Sequence, residues 1–246
     1  NALKDTELVI HLAALLGVDK CEKSASSTLK ANGSRACKFF DLCKESGVSK
    51  IIYTSSSEVY GDIEEAKETS QVAPKSNYAL AKLYSERYLE TITTDTFSSI
   101  VLRLFSIYGK GQRDDFVISK FMSMAKSKIP LTIYEPGTQL RAFCHITDLV
   151  SAVENCIDNF NYLGNFTLFN IGNNTEPITV NDLAIKILKL HNLDSKKYLK
   201  RIPLKNTIRG EAREIYFRTP SIEKSRKLIG YEPKVTLNEG LKEFME

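Results

Sequence analysis

Three side chains at two places in this sequence could together remove a proton from a hydroxyl group. Tyr78 and Lys82 are four residues apart, so a helix would place both on one face. The Lys82 ammonium would then lower the pKa of the Tyr78 phenol from its usual value of about 10. Ser56 lies upstream in a serine-rich stretch, where its hydroxyl could hold a substrate oxygen. The pattern predicts a tyrosine base working closer to neutral pH.

Short apolar runs alternate with helical patterns in the first half of the chain. Strands are predicted at 8–10, 50–54 and 100–104, and helices at about 27–46 and from Tyr78 to about 93. This alternation is typical of a parallel sheet with helices on both faces. Ligands bind such sheets beyond the carboxyl ends of the strands. The segments that follow the predicted strands should therefore line one site; they are 11–14, 55–58 and 105–108.

The second half mixes helical and extended patterns. Its predicted strands are 131–134 and 166–171, and its predicted helices are 116–126, 148–156, one that begins at Thr179, 222–229 and one from 237 to the end. No repeat or low-complexity segment is present.

The composition is that of a soluble globular protein, with 42% hydrophobic and 26% charged residues among 246. The net charge is +4 and the basic run 196–201 is predicted to be a solvated segment, so we expect no nucleic-acid partner. No apolar run approaches the roughly 18 residues of a membrane span. The five cysteines and three histidines show no metal-site spacing. We expect no metal, no membrane partner and reduced thiols in a cytoplasmic protein.

Taken in order, these segments resemble the extended short-chain dehydrogenase/reductase family, which includes NAD-dependent nucleotide-sugar epimerases and dehydratases. Ser56, Tyr78 and Lys82 match its catalytic residues. The resemblance also rests on segments 9–14, 103–109, 139–143 with 147–148, 169–172 and 228–233.

The resemblance implies an α/β fold in which a Rossmann-type, doubly wound parallel sheet is joined to a smaller α/β substrate-binding domain. Residues 1–110 would form the C-terminal portion of the NAD-binding domain. Residues 111–246 would mainly bind the nucleotide sugar, with a segment of about 140–175 returning to the first domain.

The resemblance also implies a first chemical step. Tyr78 takes a proton from a sugar hydroxyl while hydride from the same carbon passes to NAD. Lys82 lowers the Tyr78 pKa and binds the nicotinamide ribose, and Ser56 donates to the reacting oxygen. The other implied cofactor contacts are Leu12, Ala13, Ala14, Asn32 and Phe105. The implied contacts with a nucleotide-diphosphate sugar are Ser57, Ser106, Val117, Tyr134, Arg141 and Arg213.

Some of these positions have a second reading. Arg141 matches a motif arginine that binds the nucleotide diphosphate, and a guanidinium suits phosphate oxygens, but it could also form a surface ion pair. Arg209 and Arg213 could reach the same diphosphate or be surface charges. Tyr134 could stack on the nucleotide base or pack in the core.

The outcome of the reaction is open at this point. We expect 4-epimerisation through a 4-ketosugar, as in UDP-glucose 4-epimerase. Glu58 in Ser-Ser-Glu resembles UDP-glucuronate decarboxylases as well as many epimerases, and it could instead be a carboxylate at a helix start. Ser57 replaces the aspartate of 4,6-dehydratases, which argues against dehydration. A catalytically silent dinucleotide-binding regulator is the alternative from another class.

The sequence departs from the family in three places. It lacks the Gly-x-x-Gly-x-x-Gly turn that approaches the pyrophosphate, so we expect a preceding segment on the order of 60 residues, two βα units, in the full-length protein. Ser106 stands where asparagine is usual, and residues 135–137 replace a Gly-Asp-Gly turn.

The family also implies a homodimer through the Tyr78 helix and its neighbour. Leu42, Tyr84 and Tyr88 would contribute to that contact or pack within the chain.

Overall fold

The structure is a computed structural model that describes residues 2–206 and 213–245. Its strands are β1 (Leu8–His11), β2 (Lys50–Ser56), β3 (Ile63–Ala66), β4 (Ser98–Leu104), β5 (Ile107–Tyr108), β6 (Leu131–Tyr134), β7 (Leu140–Arg141), β8 (Cys144–His145), β9 (Phe166–Ile171), β10 (Ile178–Thr179), β11 (Leu199–Ile202) and β12 (Phe217–Pro220). Its α-helices are α1 (Val18–Lys23), α2 (Ala25–Leu29), α3 (Arg35–Glu45), α4 (Asn77–Ile92), α5 (Val117–Lys126), α6 (Ile146–Asp158), α7 (Val180–Leu190), α8 (Ser195–Tyr198), α9 (Glu223–Ile229) and α10 (Leu237–Lys242).

The main sheet is parallel, in the order β1-β2-β4-β9. Strand β2 is buried from Ile51 to Ser56, as expected for a strand covered on both faces. One face packs on α3 and α4 through residues such as Phe40 and Leu89, and the other packs on α6 and α9 through residues such as Cys156 and Ile229. The predicted fold class, a doubly wound α/β sheet, is confirmed.

Helix α4 carries the Tyr-x-x-x-Lys pair. Ser76 begins the helix, because its hydroxyl accepts a hydrogen bond from the Ala79 amide at 3.1 Å. At the other end the Thr93 hydroxyl donates to the Leu89 carbonyl. Small buried residues, Ala79 and Ala81, let the helix lie close to its neighbours.

The predicted helix at 27–46 is instead α2 and α3 separated by a π-helical turn, Lys30–Ser34. In this turn Gly33 faces Ala81 and Tyr84 of α4, where a Cβ atom would be in ordinary van der Waals contact with the Tyr84 ring. The widened turn points Asn32 into the interior, where it is 1% exposed. Such insertions are frequent at functional positions of helices.

The second half of the chain builds a mixed sheet, ordered β10-β7-β12-β3, and a core between α5, α7 and the β6–β11 pair. Strand β3 belongs to the first half, so its pairing with β12 connects the two parts of the chain. Conversely, β9 lies late in the sequence but in the main sheet. The division at residue 110 stays a prediction.

Candidate functional site

The carboxyl ends of β1, β2 and β4 meet at one edge of the main sheet, and the first turn of α4 lies beside that edge. Residue pairing places His11 beside Tyr53 and Ser56 beside Leu104. The four predicted catalytic residues come together here; they are Ser56, Glu58, Tyr78 and Lys82.

Lys82 reaches from α4 to the end of β2. It is 2% exposed, and its ammonium donates to the Thr54 carbonyl at 2.7 Å. The same Nζ atom lies 4.6 Å from the centre of the Tyr53 ring, a cation–π distance. Burial lowers the pKa of Lys82 to about 8, against the raising effect of the Glu86 carboxylate.

Tyr78 does not have the lowered pKa that its spacing from Lys82 predicts. Desolvation of its hydroxyl raises the pKa above the usual value, and the Glu58 carboxylate raises it further. A hydrogen bond with the Ser56 hydroxyl and the charge of Arg218 act in the opposite direction but are outweighed. Lys82 binds Thr54 instead, with its Nζ 6.0 Å from the centre of the Tyr78 ring. The prediction of a lowered pKa is therefore wrong for the chain by itself, and its phenol is protonated at neutral pH.

Ser56 and Glu58 are linked through a 3₁₀ turn, Ser57–Tyr60, that follows β2. The Ser56 hydroxyl accepts from the Glu58 amide at 3.2 Å, and the Ser76 hydroxyl donates to the Glu58 carboxylate at 3.2 Å. Glu58 thus connects the end of β2 to the start of α4. It is more than a carboxylate at a helix start, because its side chain also faces a cation from the second half of the chain.

That cation is Arg218 of β12, which the sequence analysis missed. Its Nη2 atom lies 3.5 Å from Glu58 Oε1, and both side chains are largely buried. Its Nε atom is buried and has no hydrogen-bond partner among residues 2–206 and 213–245, which leaves a donor for another oxygen. No local pattern identifies Arg218, because only the pairing of β12 with β3 brings it to Glu58.

The loop after β1 is held by Asn32. The Asn32 side chain accepts from the Leu15 amide at 2.7 Å and donates to the Leu15 carbonyl at 2.9 Å. Both ends of the buried amide are thus used on the loop, so Asn32 positions the loop, and its predicted contact with a cofactor stays a prediction. Leu12 and Ala13 are exposed and Ala14 is half-buried, which leaves the predicted contact surface uncovered.

The edge has the features that the ribose and nicotinamide part of NAD requires. Lys82 uses one hydrogen bond on Thr54, and an ammonium has three N–H donors, so donors remain for ribose hydroxyls. Tyr78 lies on the same helix, and the exposed loop at 12–13 adjoins the edge. These residues would bind that part of NAD. Phe105 is 1% exposed and packs on Tyr60, which leaves only its backbone for a cofactor, and that contact stays a prediction.

Arg141 is buried and not on the surface, so its reading as a surface ion pair is wrong. Its guanidinium donates to the Ile215 carbonyl at 2.7 Å and the Leu140 carbonyl at 2.9 Å, and it pairs with Glu214 at 3.3 Å. Arg141 thereby holds the segment that leads into β12. Its predicted contact with a diphosphate stays a prediction.

The remaining residues that were predicted to contact the substrate differ in how exposed they are. Arg213 is exposed and pairs with the buried Glu22 at 3.1 Å; Arg209 lies outside the described residues. Tyr134 is 42% exposed, so the alternative of core packing is wrong. Ser57 is buried in the 3₁₀ turn, Val117 is half-buried at the start of α5, and Ser106 is half-buried after β4.

Ser106 has a φ angle of 43°. This left-handed conformation is costly for most residues but favourable for asparagine and glycine. The asparagine usual in the resembling family thus suits the backbone as well as a substrate.

Within the described parts of the chain, no group of three or more metal-binding side chains is arranged around a common point. The helices of those parts are all too short or too polar to cross a bilayer.

Comparison with known proteins gives a consistent result. The NAD-dependent epimerase/dehydratase family matches residues 1–172. The UDP-glucuronate 4-epimerase of Thermodesulfobacterium geofontis is 30% identical over 95% of this chain and 70% of its own length. The UDP-glucuronic acid decarboxylase 3 of Arabidopsis thaliana is 30% identical over 97% of this chain and 69% of its own length. The solved UDP-glucuronic acid 4-epimerase of Bacillus cereus, in complex with UDP-glucuronic acid and NAD, is 28% identical with a TM-score of 0.87, covering 99% of this chain and 76% of that one.

Proposed function

Because this chain belongs to the NAD-dependent epimerase/dehydratase family, as its motifs predicted, we propose that it inverts C4 of a UDP-sugar through a 4-ketosugar. It is an NAD-dependent enzyme of nucleotide-sugar metabolism. The observation that carries the proposal is the convergence of Ser56, Tyr78 and Lys82 at the end of β2. UDP-glucose and UDP-glucuronic acid are bound by similar structures, which supports a UDP-sugar as substrate.

Each residue of the site has a role in this reaction. NAD, when bound, accepts the hydride from C4 and later returns it. Tyr78 takes the proton of the C4 hydroxyl and gives it back after the ketosugar has presented its other face. The Ser56 hydroxyl donates to O4, and Lys82 holds the positive charge that a tyrosinate requires.

The surroundings of Glu58 favour a sugar with a carboxylate group. Arg218 has an Nε donor without a partner among the described residues, and a guanidinium binds carboxylates with paired hydrogen bonds. We therefore propose a UDP-uronic acid as the preferred substrate, with its carboxylate sharing Arg218 with Glu58.

The same pair supports decarboxylation as the second candidate. A carboxylate beside a 4-ketone can leave as carbon dioxide, with its electron pair passing to the ketone as an enolate. Glu58 and Arg218, 3.5 Å apart, lie near Tyr78, where that charge change would occur. The match to a plant decarboxylase points the same way.

One experiment separates these outcomes. The full-length protein would be incubated with NAD and either UDP-glucuronic acid or UDP-glucose, and the products followed by chromatography and mass spectrometry. A new peak of unchanged mass supports epimerisation. Loss of carbon dioxide from the uronate supports decarboxylation, and loss of water would show dehydration. If neither sugar is converted while NAD is bound, a non-catalytic regulator is the better account.

Arg218→Met is the matched test of substrate choice. We expect it to reduce kcat/KM for the uronate by about 10-fold or more, which corresponds to the loss of one charge-assisted hydrogen bond. The kcat/KM for UDP-glucose should change much less. An equal loss with both sugars would contradict a role in recognising the carboxylate.

Two further features extend the proposal to the whole protein. Leu42, Leu80 and Tyr84 are about half exposed on α3 and α4, and they support a homodimer through this face. Tyr88 is used within the chain, because its hydroxyl donates to Asp41. All five cysteines are unpaired and buried, which supports a reducing, cytoplasmic location.

A further inference from the structure

Directly behind Lys82 lies a buried cluster of charged and polar side chains that the reaction above does not use. It consists of Glu86, Arg103 and Ser55, called here the Glu86 cluster. Arg103 donates to the Glu86 carboxylate through Nη2 at 2.7 Å and through Nε at 3.1 and 3.2 Å. The Ser55 hydroxyl donates to the same carboxylate. Glu86 and Arg103 are only 1% and 2% exposed.

The cluster joins three elements at the catalytic edge. Glu86 belongs to α4 one turn after Lys82, Ser55 belongs to β2, and Arg103 lies opposite Ser55 on β4. Lys82 binds Thr54 and Glu86 binds Ser55, the two residues that immediately precede Ser56. Two successive turns of α4 are thus attached to two successive residues of β2, which fixes Tyr78 relative to Ser56.

We propose that Glu86 is a positioning residue for the catalytic step: its carboxylate, oriented by Arg103 and Ser55, keeps the buried Lys82 ammonium charged and holds α4 in register over β2. Glu86 acts through Lys82 and does not touch the substrate.

The other charged and titratable groups around Lys82 do not supply that counter-charge. Burial and, after it, the nearby Lys82 charge lower the pKa of His11 of β1, so the imidazole is neutral at pH 7. Tyr53 of β2 and Tyr78 of α4 both have raised pKa values through burial, so neither is an anion at neutral pH. Arg103 of β4 is a cation. Glu86 is the anion among these groups, and its effect is to raise the pKa of Lys82.

The test is Glu86→Gln, which keeps the shape of the side chain and removes its charge. The control is Glu90→Gln, because Glu90 carries the same charge on the exposed face of the same helix and pairs with the exposed Arg87. Two curves would be recorded for the full-length protein: kcat against pH with the sugar that the activity assay identifies, and the thermal midpoint Tm against pH without substrate. The first curve rests on the proposed function, and the second does not.

We expect the alkaline limb of the kcat profile of Glu86→Gln to move down by about one pH unit, since a nearby opposite charge changes a pKa by that order. The rise of Tm that accompanies loss of the Lys82 proton should begin about one unit lower as well. Glu90→Gln should leave both curves in place. Curves that keep the wild-type shape, with only a uniformly lower Tm, would overturn the proposal.

A double variant, Glu86→Gln with Arg103→Gln, covers the case in which the single variant does not fold. Because Arg103 is also replaced, the double variant contains no buried arginine without its partner. It therefore separates the effect of Glu86 on Lys82 from its ion pair with Arg103. The proposal requires that the pH shift persists in this variant. A double variant with the wild-type pH profile would show that Glu86 serves only to neutralise Arg103.

Discussion

At the scale of single residues, Lys82 shows how much the site depends on one buried charge. Its pKa in the folded chain is about 8, against an ordinary 10.5. The unfolded chain therefore binds more protons than the folded chain between these pH values, and stability rises with pH across that window. Below about pH 8 the full cost of burying the charged Lys82 is present. Each unit of pKa shift corresponds to 1.36 kcal/mol, so this cost is about 3 kcal/mol.

Lys82→Met tests this cost. We expect the variant to be inactive, yet more stable than the wild type at pH 7 by about 2 kcal/mol, the penalty less the cost of leaving the Thr54 carbonyl without its donor. The difference should shrink as the pH rises towards 10.5. Urea unfolding of both proteins at several pH values measures it. A difference that does not vary with pH would show that Lys82 has the same pKa in the folded and the unfolded chain.

Tyr78→Phe removes the proposed base and little else. We expect turnover to fall by at least 10² to 10⁴-fold, the usual contribution of a positioned acid–base group, while NAD binding changes little. Turnover and NAD affinity can be measured on the same preparation. Turnover close to that of the wild type would show that the base is another group.

Ser106→Gly addresses the left-handed backbone after β4. The φ angle of 43° costs a serine side chain conformational energy that glycine avoids. We expect the variant to be more stable than Ser106→Ala by about 1 kcal/mol. Comparison of the two by urea unfolding removes the shared loss of the hydroxyl. Equal stabilities would show that the backbone relaxes at this position.

At the scale of elements, sequence patterns predicted the helices and strands that depend on neighbouring residues. They missed the features that depend on contacts between residues far apart in the sequence. The spacing of Tyr78 and Lys82 and the apolar runs around them predicted α4 and the main strands, because periodic burial dictates both. The π-helical turn at 30–34 was not predicted, since it depends on the packing of this turn against α4, which is distant in sequence. The prediction of a lowered Tyr78 pKa was wrong because the spacing of two residues along a helix does not show how deeply a hydroxyl group is buried. Arg218 was missed because strand pairing alone brings it to Glu58.

Ser76 links the start of α4 to Glu58 through a single hydroxyl group. Its hydroxyl accepts from the Ala79 amide and donates to Glu58. We expect Ser76→Ala to lower stability by about 1 kcal/mol, the usual value of an N-cap, and also to lower kcat. Ser76→Asp is the matched control, because aspartate caps the helix but repels Glu58. Recovery of both stability and kcat in Ser76→Asp would contradict the proposed link to Glu58.

At the scale of the whole molecule, the proposed dimer face belongs to the same helix as the base. Leu80 and Tyr84 are half exposed on α4, whereas Lys82 and Glu86 on the same helix point inward.

Tyr84→Arg therefore tests the assembly without touching the site. We expect it to convert a dimer into monomers at micromolar concentration, because a charge would be buried at the centre of an apolar contact. Sedimentation of the full-length protein measures this, with the exposed Arg87→Ala on the same helix as control. A wild-type protein that is already monomeric would remove the dimer from the proposal.

The pairing of β12 with β3 affects the order in which the site is assembled during synthesis and folding. The contacts of this strand with the Asp62 side chain join residues 155 positions apart, and Arg218 lies one residue further on. During synthesis, Tyr78, Lys82 and Glu58 thus leave the ribosome long before the arginine that completes their surroundings. Contacts of such long range form late and slowly. A chain whose synthesis stops before residue 218 would present the tyrosine and lysine without this cation, so their surroundings are complete only after Arg218 has been made.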